Sequence, residues 1–342
     1  MYIIPMFSIL IFCFYLCHQC YSAENKHHHT NDSDIHAIKS HWLIEDNQIM
    51  NESFKSLSEL KNLHHYMNTF GKDICHGWDN NKEVKSSLLI LVDSNTKHEF
   101  QRKIARATWL RNFHGSQSRV HVVFFVGKPH SLNTAEHLLM ENRKHGDIVW
   151  THVPEKSDYI RSLKMVSGLN WVVKKCKNAK FVLKVDDKTI VNMPALLRFI
   201  DKQNNPKNTI WGFKHSISPI KTNKKYIDYT CEHAYLMTHD AAENLYSGAL
   251  ENIPYLSDEN QFLTGVVATN QDVNVIHDKH FKAATLSSLL PNNSSAVEKC
   301  DYLKNHFIFL KPENRDEWSH ILSSFKICKS NLSKNAKHHK SV

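Results

Sequence analysis

From residue 86 onward the chain alternates short apolar runs with stretches of helical period. Residues 87–94 read SLLILVDS, an apolar run bounded by polar residues, and predict a buried strand. The next stretch, KHEFQRKIARATWLRNF, repeats Phe100, Ile104, Ala107 and Leu110 at helical spacing and predicts a helix on that face. VHVVFFVG predicts a second buried strand, closed by Gly127 and Pro129. A helix over Ala135–Lys144, the strand DIVWTHV and a long helix over Ser162–Lys175 follow, and the strand KFVLKV ends at Asp186 and Asp187. The alternation predicts an α/β domain over residues 86–310, with a mostly parallel central sheet flanked by helices on both faces. Leu88–Val92, His121–Val126 and Phe181–Val185 are its parallel strands.

In such sheets the chemistry lies at the C-terminal ends of the strands. Asp93, Gly127, Asp186 and Asp187 all fall there. The Asp186–Asp187 pair admits two readings. Carboxylates at a strand end hold Mg²⁺ or Mn²⁺ against the phosphates of a nucleotide. Alternatively, Asp187 caps a helix starting near Val191, or Asn192-Met193-Pro194 forms an Asx turn. From the dipeptide alone both stand.

Ahead of residue 86 the pattern changes. Tyr2–Cys17 is apolar and uncharged, short beside the about 20 residues of a membrane span. It reads as a cleaved signal peptide, with Ser22 and Ala23 near the cut, or as a signal anchor. Either delivers the chain to the secretory lumen. The Asn-x-Ser sequons at Asn31, Asn51, Asn292, Asn293 and Asn331 agree. Residues 23–74 are polar and His- and Asn-rich, a luminal stem, and residues 331–342 form a polar tail.

Eight cysteines change the picture further. Three accompany the apolar segment; Cys75, Cys176, Cys231, Cys300 and Cys328 remain, without the C-x-x-C spacing of zinc sites. An oxidising lumen favours pairs. Cys300 with Cys328 is the first pairing and Cys75 with Cys176 the second; five buried thiols are the alternative. The net charge of +9 suits a phosphate-bearing or acidic partner. Its Lys and Arg are scattered and do not interleave with aromatics, which argues against nucleic acid. The 25 His do not announce a metal, since the runs at 27–29 and 338–339 lie in polar tails.

Several spaced motifs then point one way. RKIARATWL (Arg102, Arg106, Trp109), HGDIVW (Gly146, Asp147), SLKMVSGLNWVVKKC (Lys164, Gly168, Trp171, Cys176), AKFVLKVDDKTIVNMPALLRFI, YTCEHAYLMTHDAAENLY (Tyr229, Cys231, Tyr235, Asp240) and ENQFLTGVVA (Glu259 to Ala268) occur in order. Over about residues 75–325 the chain resembles the beta-1,3-galactosyltransferase family of Golgi glycosyltransferases, glycosyltransferase family 31. The resemblance implies a GT-A-like nucleotide-sugar-binding domain over 75–330, a type II anchor over residues 1–22, a luminal Golgi address and a single-metal Asp-x-Asp site for Mn²⁺. It implies inverting transfer of a hexose from a UDP-sugar to a glycan acceptor on glycoprotein or glycolipid. Its donor-binding candidates are Ser94, Arg102, Arg106, Lys164, Asp186, Asp187 and Lys188. Arg offers phosphate a planar fork and Lys a point charge.

Four departures qualify this. The family's third acid is replaced by Lys188, and a protonated lysine does not ligate. Either Asp186 and Asp187 hold the metal alone, or the Lys188 ammonium supplies charge to the diphosphate directly. The family's Glu-Asp-Val, whose Asp is the expected base, becomes Glu259-Asn260-Gln261, leaving Glu259 or Asp258 as substitutes for Asn260. The family's metal-ligating His before a Pro becomes Ile308, with His306 two residues early on the same strand face; His277 and His280 rank below it. Glu232-His233-Ala234 replace the small residues before the Tyr of the acceptor loop. Two functions follow: a divergent UDP-sugar hexosyltransferase, or a catalytically silent relative that binds a nucleotide, a glycan or an active transferase.

Overall fold

A computed structural model describes residues 67, 69–71, 74–75, 87–113, 119–155, 161–217, 227–252 and 258–283, with 295, 298, 300–302 and 306–310. The anchor, most of the stem, the tail and all five sequons lie outside these residues. Among the described residues no helix is long and apolar enough to cross a membrane.

The first half follows the predicted alternation. Strand β1 (Thr69–Gly71) leads to β2 (Leu88–Asp93), α1 (Glu99–Ala107), β3 (Val120–Lys128), α2 (Leu132–His145), β4 (Ile148–Pro154), α3 (Arg161–Lys175) and β5 (Phe181–Asp186). β4, β3, β2 and β5 pair in parallel, in that order. Side chains of successive residues leave the strands on opposite faces. Leu89, Leu91, Val123 and Phe125 thus pack under α3, whereas Leu88, Ile90, Val122 and Phe124 pack under α1 and α2. Burial on both faces is why these strands are apolar throughout rather than alternating. α2 starts where Ser131 accepts from the Thr134 amide and stops at Gly146, whose φ of 67° is the left-handed conformation glycine adopts without strain. That stop sets Asp147 just ahead of β4.

The second half extends the sheet differently from the mostly parallel expectation. After β6 (Thr189–Val191) and α4 (Met193–Asp201) come β7 (Thr209–Ile217), β8 (Ile227–Thr238), α5 (His239–Leu250) and β9 (Asn274–His277). β8 lies antiparallel to β5 and β7 antiparallel to β8, giving an eight-stranded order β1-β4-β3-β2-β5-β8-β7-β9. The sheet is therefore mixed, with a parallel core and a long antiparallel arm. β7 and β8 are the 9- and 12-residue strands, and both carry interior polar residues. That breaks the apolar runs by which buried strands are read from sequence. β10 (Ile308–Leu310) pairs antiparallel with β6 in a separate two-stranded sheet. The helix start falls to Asn192 and not to Asp187: the Asn192 side chain accepts from the Ala195 amide and caps α4, with Pro194 in the first turn.

Helix α1 forms as predicted, but with another face inward. Arg102, Ala105 and Arg106 are buried, whereas Phe100 is 65% exposed. Apolar spacing misplaces that face because two acids, Glu141 and Asp147, wait beneath it for the arginines.

Cys75 and Cys176 form a disulfide with Cα atoms 5.1 Å apart and 101 residues between them in sequence. It ties the segment before β2 to the C-terminus of α3. Cys300 is also disulfide-bonded, and its partner lies outside the described side chains, where Cys231 and Cys328 both fall. Bridging so long a loop restricts the unfolded chain strongly. The double variant Cys75→Ser/Cys176→Ser should lose about 2–4 kcal/mol of stability. Denaturant melts of both proteins under non-reducing conditions measure it, and superimposable curves would refute the estimate.

Candidate functional site

The parallel strands β2 and β5 end side by side, with Asp93 opposite Asp186 in register. Two residues earlier, on the same face as Asp186, Lys184 points under the sheet. Its Nζ lies 3.0 Å from Glu259 Oε2, with both side chains under one-tenth exposed. Tyr235 of β8 donates to Glu259 Oε1 at 3.4 Å. From α3, Lys164 sits 2.8 Å from Asp93 and 3.5 Å from Glu155, and donates to the Ser94 carbonyl at 2.6 Å. Glu155, just past β4, accepts from the Gly127 amide at 2.6 Å and from Asn95. Cations and anions thus alternate along the C-terminal edge of the parallel core.

The electrostatics follow this alternation. Burial works against a charged Asp93, but Lys164 and Lys184 outweigh it and hold the carboxyl below its ordinary value. Burial raises Glu259, and Lys184 only partly offsets that. For Lys184 and Lys164 burial favours the neutral amine, yet Glu259 and Asp93 respectively keep each ammonium firmly charged. Burial, then Glu259, pushes the Tyr235 phenol well up.

Asp186 and Asp187 do not converge. Asp186 Oδ1 accepts from the Lys188 amide at 2.9 Å and the Thr189 hydroxyl at 2.5 Å, and Oδ2 lies 2.9 Å from His233 Nδ1 of β8. Asp187 Oδ2 instead meets Ser94 Oγ at 2.7 Å and His98 Nδ1 at 2.8 Å, both before α1. Asp187 therefore staples the loop after β2 to the turn after β5, and its amide donates to the Asp93 carbonyl at 3.0 Å. Lys188 occupies that turn with its side chain exposed. Beside it a shallow depression runs between α1 and β6, walled by Ile104, Trp109 and Ile190.

This donor set does not fit a divalent cation. Two of the four carboxylate oxygens already accept two short hydrogen bonds each, and the two side chains address different elements. Among the described residues no three His, Cys, Asp or Glu side chains gather to hold a metal.

His306, expected as a third ligand, is not brought to Asp186. In the register Ile308–Val191 and Leu310–Thr189, β10 runs towards the turn and leaves His306 at its far end, beside Asn192. Its Nδ1 meets the Tyr302 carbonyl at 2.9 Å, and its ring stacks on Tyr302. His280 binds Asp278 at 2.6 Å, and His277 accepts from the Lys214 amide at 3.2 Å.

The arginines expected to meet phosphate are engaged elsewhere. Arg102 Nη2 lies 2.6 Å from Glu141 Oε2, and its Nη1 donates to the Asn95 carbonyl and to Ser94 Oγ. Arg106 binds Asp147 through two nitrogens at 2.7 Å and Glu141 through a third at 2.7 Å, with its guanidinium over the Phe124 ring. Arg106 locks α1 onto the α2–β4 corner. Arg102 steadies the loop whose Ser94 holds Asp187.

The acidic segment before the last helix divides its roles. Asp258 accepts from the amides of Asn260 and Gln261, so its carboxylate caps a helical start. Glu259 faces Lys184. Asn260 is 4% exposed, and its Oδ1 is buried without a hydrogen-bond partner. The chain then runs as a π-helix over Gln261–Val267, a rare geometry found mostly at functional sites.

Residues 100–279, just over half of the chain, match the family model described as galactosyltransferase. The chain belongs to the galactosyltransferase family. Human "Beta-1,3-galactosyltransferase 9" is 26% identical over 235 residues, 64% of this chain and 61% of that protein. Mouse "Beta-1,3-galactosyltransferase 4" is 36% identical over 119 residues, 35% of this chain and 32% of that protein. "Lactosylceramide 1,3-N-acetyl-beta-D-glucosaminyltransferase" of Xenopus tropicalis is 27% identical over 197 residues, 50% of this chain and 52% of that one. The chain spans less than two thirds of the length of each of these relatives.

The sequence placed Asp93, Asp186 and Asp187 at strand ends and singled out Lys164 and Glu259 without a position; the structure brings Lys164 to Asp93 and Glu259 to Lys184. Sequence reasoning missed His98 and His233, the imidazoles on the two aspartates. His233 was visible only as a bulky substitute for a small residue.

Proposed function

We propose that the chain transfers galactose or an N-acetylhexosamine from a UDP-sugar to a glycan acceptor, with inversion and in β-1,3 linkage, as a GT-A-like luminal enzyme of the Golgi. The observation that carries this reading is the family match over residues 100–279, a span that contains Lys164, Asp186 and Glu259. The names of the relatives support the linkage and both sugars. In the reaction the acceptor oxygen bonds to the sugar C1 as the C1–oxygen bond to the diphosphate breaks. The hydroxyl proton passes to a carboxylate. With Asp258 spent on capping, Glu259 takes that role; burial raises its pKa, the direction a general base needs, though Lys184 restrains it. Purified luminal domain presented with a panel of UDP-sugars, with and without Mn²⁺, tests the assignment. Activity with none of them favours the second reading, a silent relative that binds a nucleotide or glycan or partners an active transferase. Asn260 supports that second reading, since an amide accepts no proton.

Lys188 is the residue on which metal use turns. Exposed in the turn after Asp186, its ammonium supplies part of the charge a departing diphosphate needs. One ammonium carries half the charge of a dication and no Lewis acidity, so turnover should be slow. Lys188→Asp made together with His98→Ala and His233→Ala is expected to bind Mn²⁺ and raise metal-dependent transfer, since Lys188→Asp alone leaves an imidazole on each aspartate. Metal affinity and transfer unchanged from those of His98→Ala/His233→Ala would make Lys188 a bystander.

A further inference from the structure

We infer that His98 and His233 close the Asp186–Asp187 pair to divalent cations, so that this chain binds its nucleotide without one. The inference rests on the nucleotide-sugar reading for its ligand, UDP, but not for the metal itself. Mg²⁺ and Mn²⁺ demand near-octahedral oxygen ligands at about 2.0–2.1 Å and are held by one or two carboxylates plus substrate phosphates. A carboxylate offers about four lone-pair directions. At Asp186, Lys188 N, Thr189 Oγ1 and His233 Nδ1 take three, and at Asp187 the Ser94 hydroxyl and His98 Nδ1 fill one whole oxygen.

What remains does not make a shared site. The residual direction on Asp186 Oδ2 lies beside His233 Nδ1 at 2.9 Å, with the His233 side chain 27% and the Asp186 side chain 24% exposed. Asp187 is 5% exposed and turned towards the start of α1. A cation bridging both would compete with His233 for Asp186 Oδ2 and could reach only the remaining oxygen of Asp187, and displacing either imidazole would cut the ties to β8 and to the loop before α1. It would do so beside Lys188, whose charge repels it. Neither imidazole is a local accident of the turn. His98 lies 89 residues from Asp187 and His233 lies 47 residues from Asp186, so each contact is fixed by the sheet itself.

The test uses the purified luminal chain and two probes, Mn²⁺ alone and UDP. Mn²⁺ is titrated by electron paramagnetic resonance, and UDP affinity is measured calorimetrically in EDTA and in 1–5 mM Mn²⁺, about the millimolar upper end of protein sites for such hard cations. The expected result is no saturable Mn²⁺ site and a UDP Kd that differs less than twofold between the two media. The double variant His98→Ala/His233→Ala should gain at least tenfold in Mn²⁺ affinity. If it does not fold, His233→Asn alone, which keeps a side chain against β8, should gain in the same direction. One equivalent of Mn²⁺ bound to the unsubstituted chain and lost in Asp186→Asn overturns the inference, as does a tenfold tightening of UDP by Mn²⁺. Absence of UDP binding in both media overturns the nucleotide-sugar reading instead, and the Mn²⁺ titration still decides the cation question.

Discussion

Arg106→Ala is expected to destabilise the protein by about 3–5 kcal/mol, the cost of breaking a buried ion pair by removing one partner. For a domain of this size that lowers Tm by roughly 10 °C. Arg106 is 8% exposed and answers Asp147 and Glu141 with three nitrogens at 2.7 Å. Burial alone would disfavour its charge, and Asp147 with Glu141 overrides that. Removing it strands the Asp147 carboxylate, itself 5% exposed, with no guanidinium opposite. Arg106→Lys should recover only part of the loss, since an ammonium cannot bridge two carboxylates as a planar fork does. A solvated Arg106 would instead leave the melting curve within about 0.5 kcal/mol of the unsubstituted protein. The same network fixes a pH dependence. Burial raises Glu141, but Arg102 and Arg106 hold it below its ordinary 4.5. A depressed carboxylate contributes stability that is complete above the ordinary value and lost as pH falls through the folded one. Acid melts should therefore show Arg106→Ala converging on the parent protein below about pH 4.

The parallel core was legible because both faces of its strands are buried, which leaves unbroken apolar runs such as Leu88–Val92. Legibility ended where burial is one-sided or local pattern competes with distant partners. β7 and β8 read poorly because residues such as Lys214, Thr230 and His215 interrupt them. The inward face of α1 misled because arginine counts as polar in any periodicity, yet Arg102 is 1% exposed. The site shows the same limit. Asp186 and Asp187 could be placed at a strand end from sequence alone. Their partners could not, because His98 and His233 reach them through strand pairing and not through spacing.

Asn260→Asp carries the largest expected effect on function. A positioned general base contributes about 10²–10⁴-fold to a proton-transfer step, and an amide contributes none of it. Position 260 is buried at the N-terminal edge of the π-helix and offers its side-chain oxygen no donor, so a carboxylate there would favour its protonated form. A carboxylate there would be raised by burial and by its neighbour Glu259, the direction that favours accepting a proton near neutral pH. The helix start is unaffected, because Asp258 supplies the cap through the backbone amides of Asn260 and Gln261. Transfer by Asn260→Asp should therefore exceed that of the parent by about 10²-fold or more, with KM for the UDP-sugar little changed. Glu259→Gln should abolish any transfer by the parent chain, since it removes the proposed base and leaves Lys184 buried without its anion. Single-turnover transfer from the donor that the UDP-sugar panel selects measures both. If Asn260→Asp gains nothing while UDP still binds, the missing base is not what limits this chain. The silent-relative reading then becomes the stronger account of a chain that holds paired charges at its strand ends and an amide at position 260.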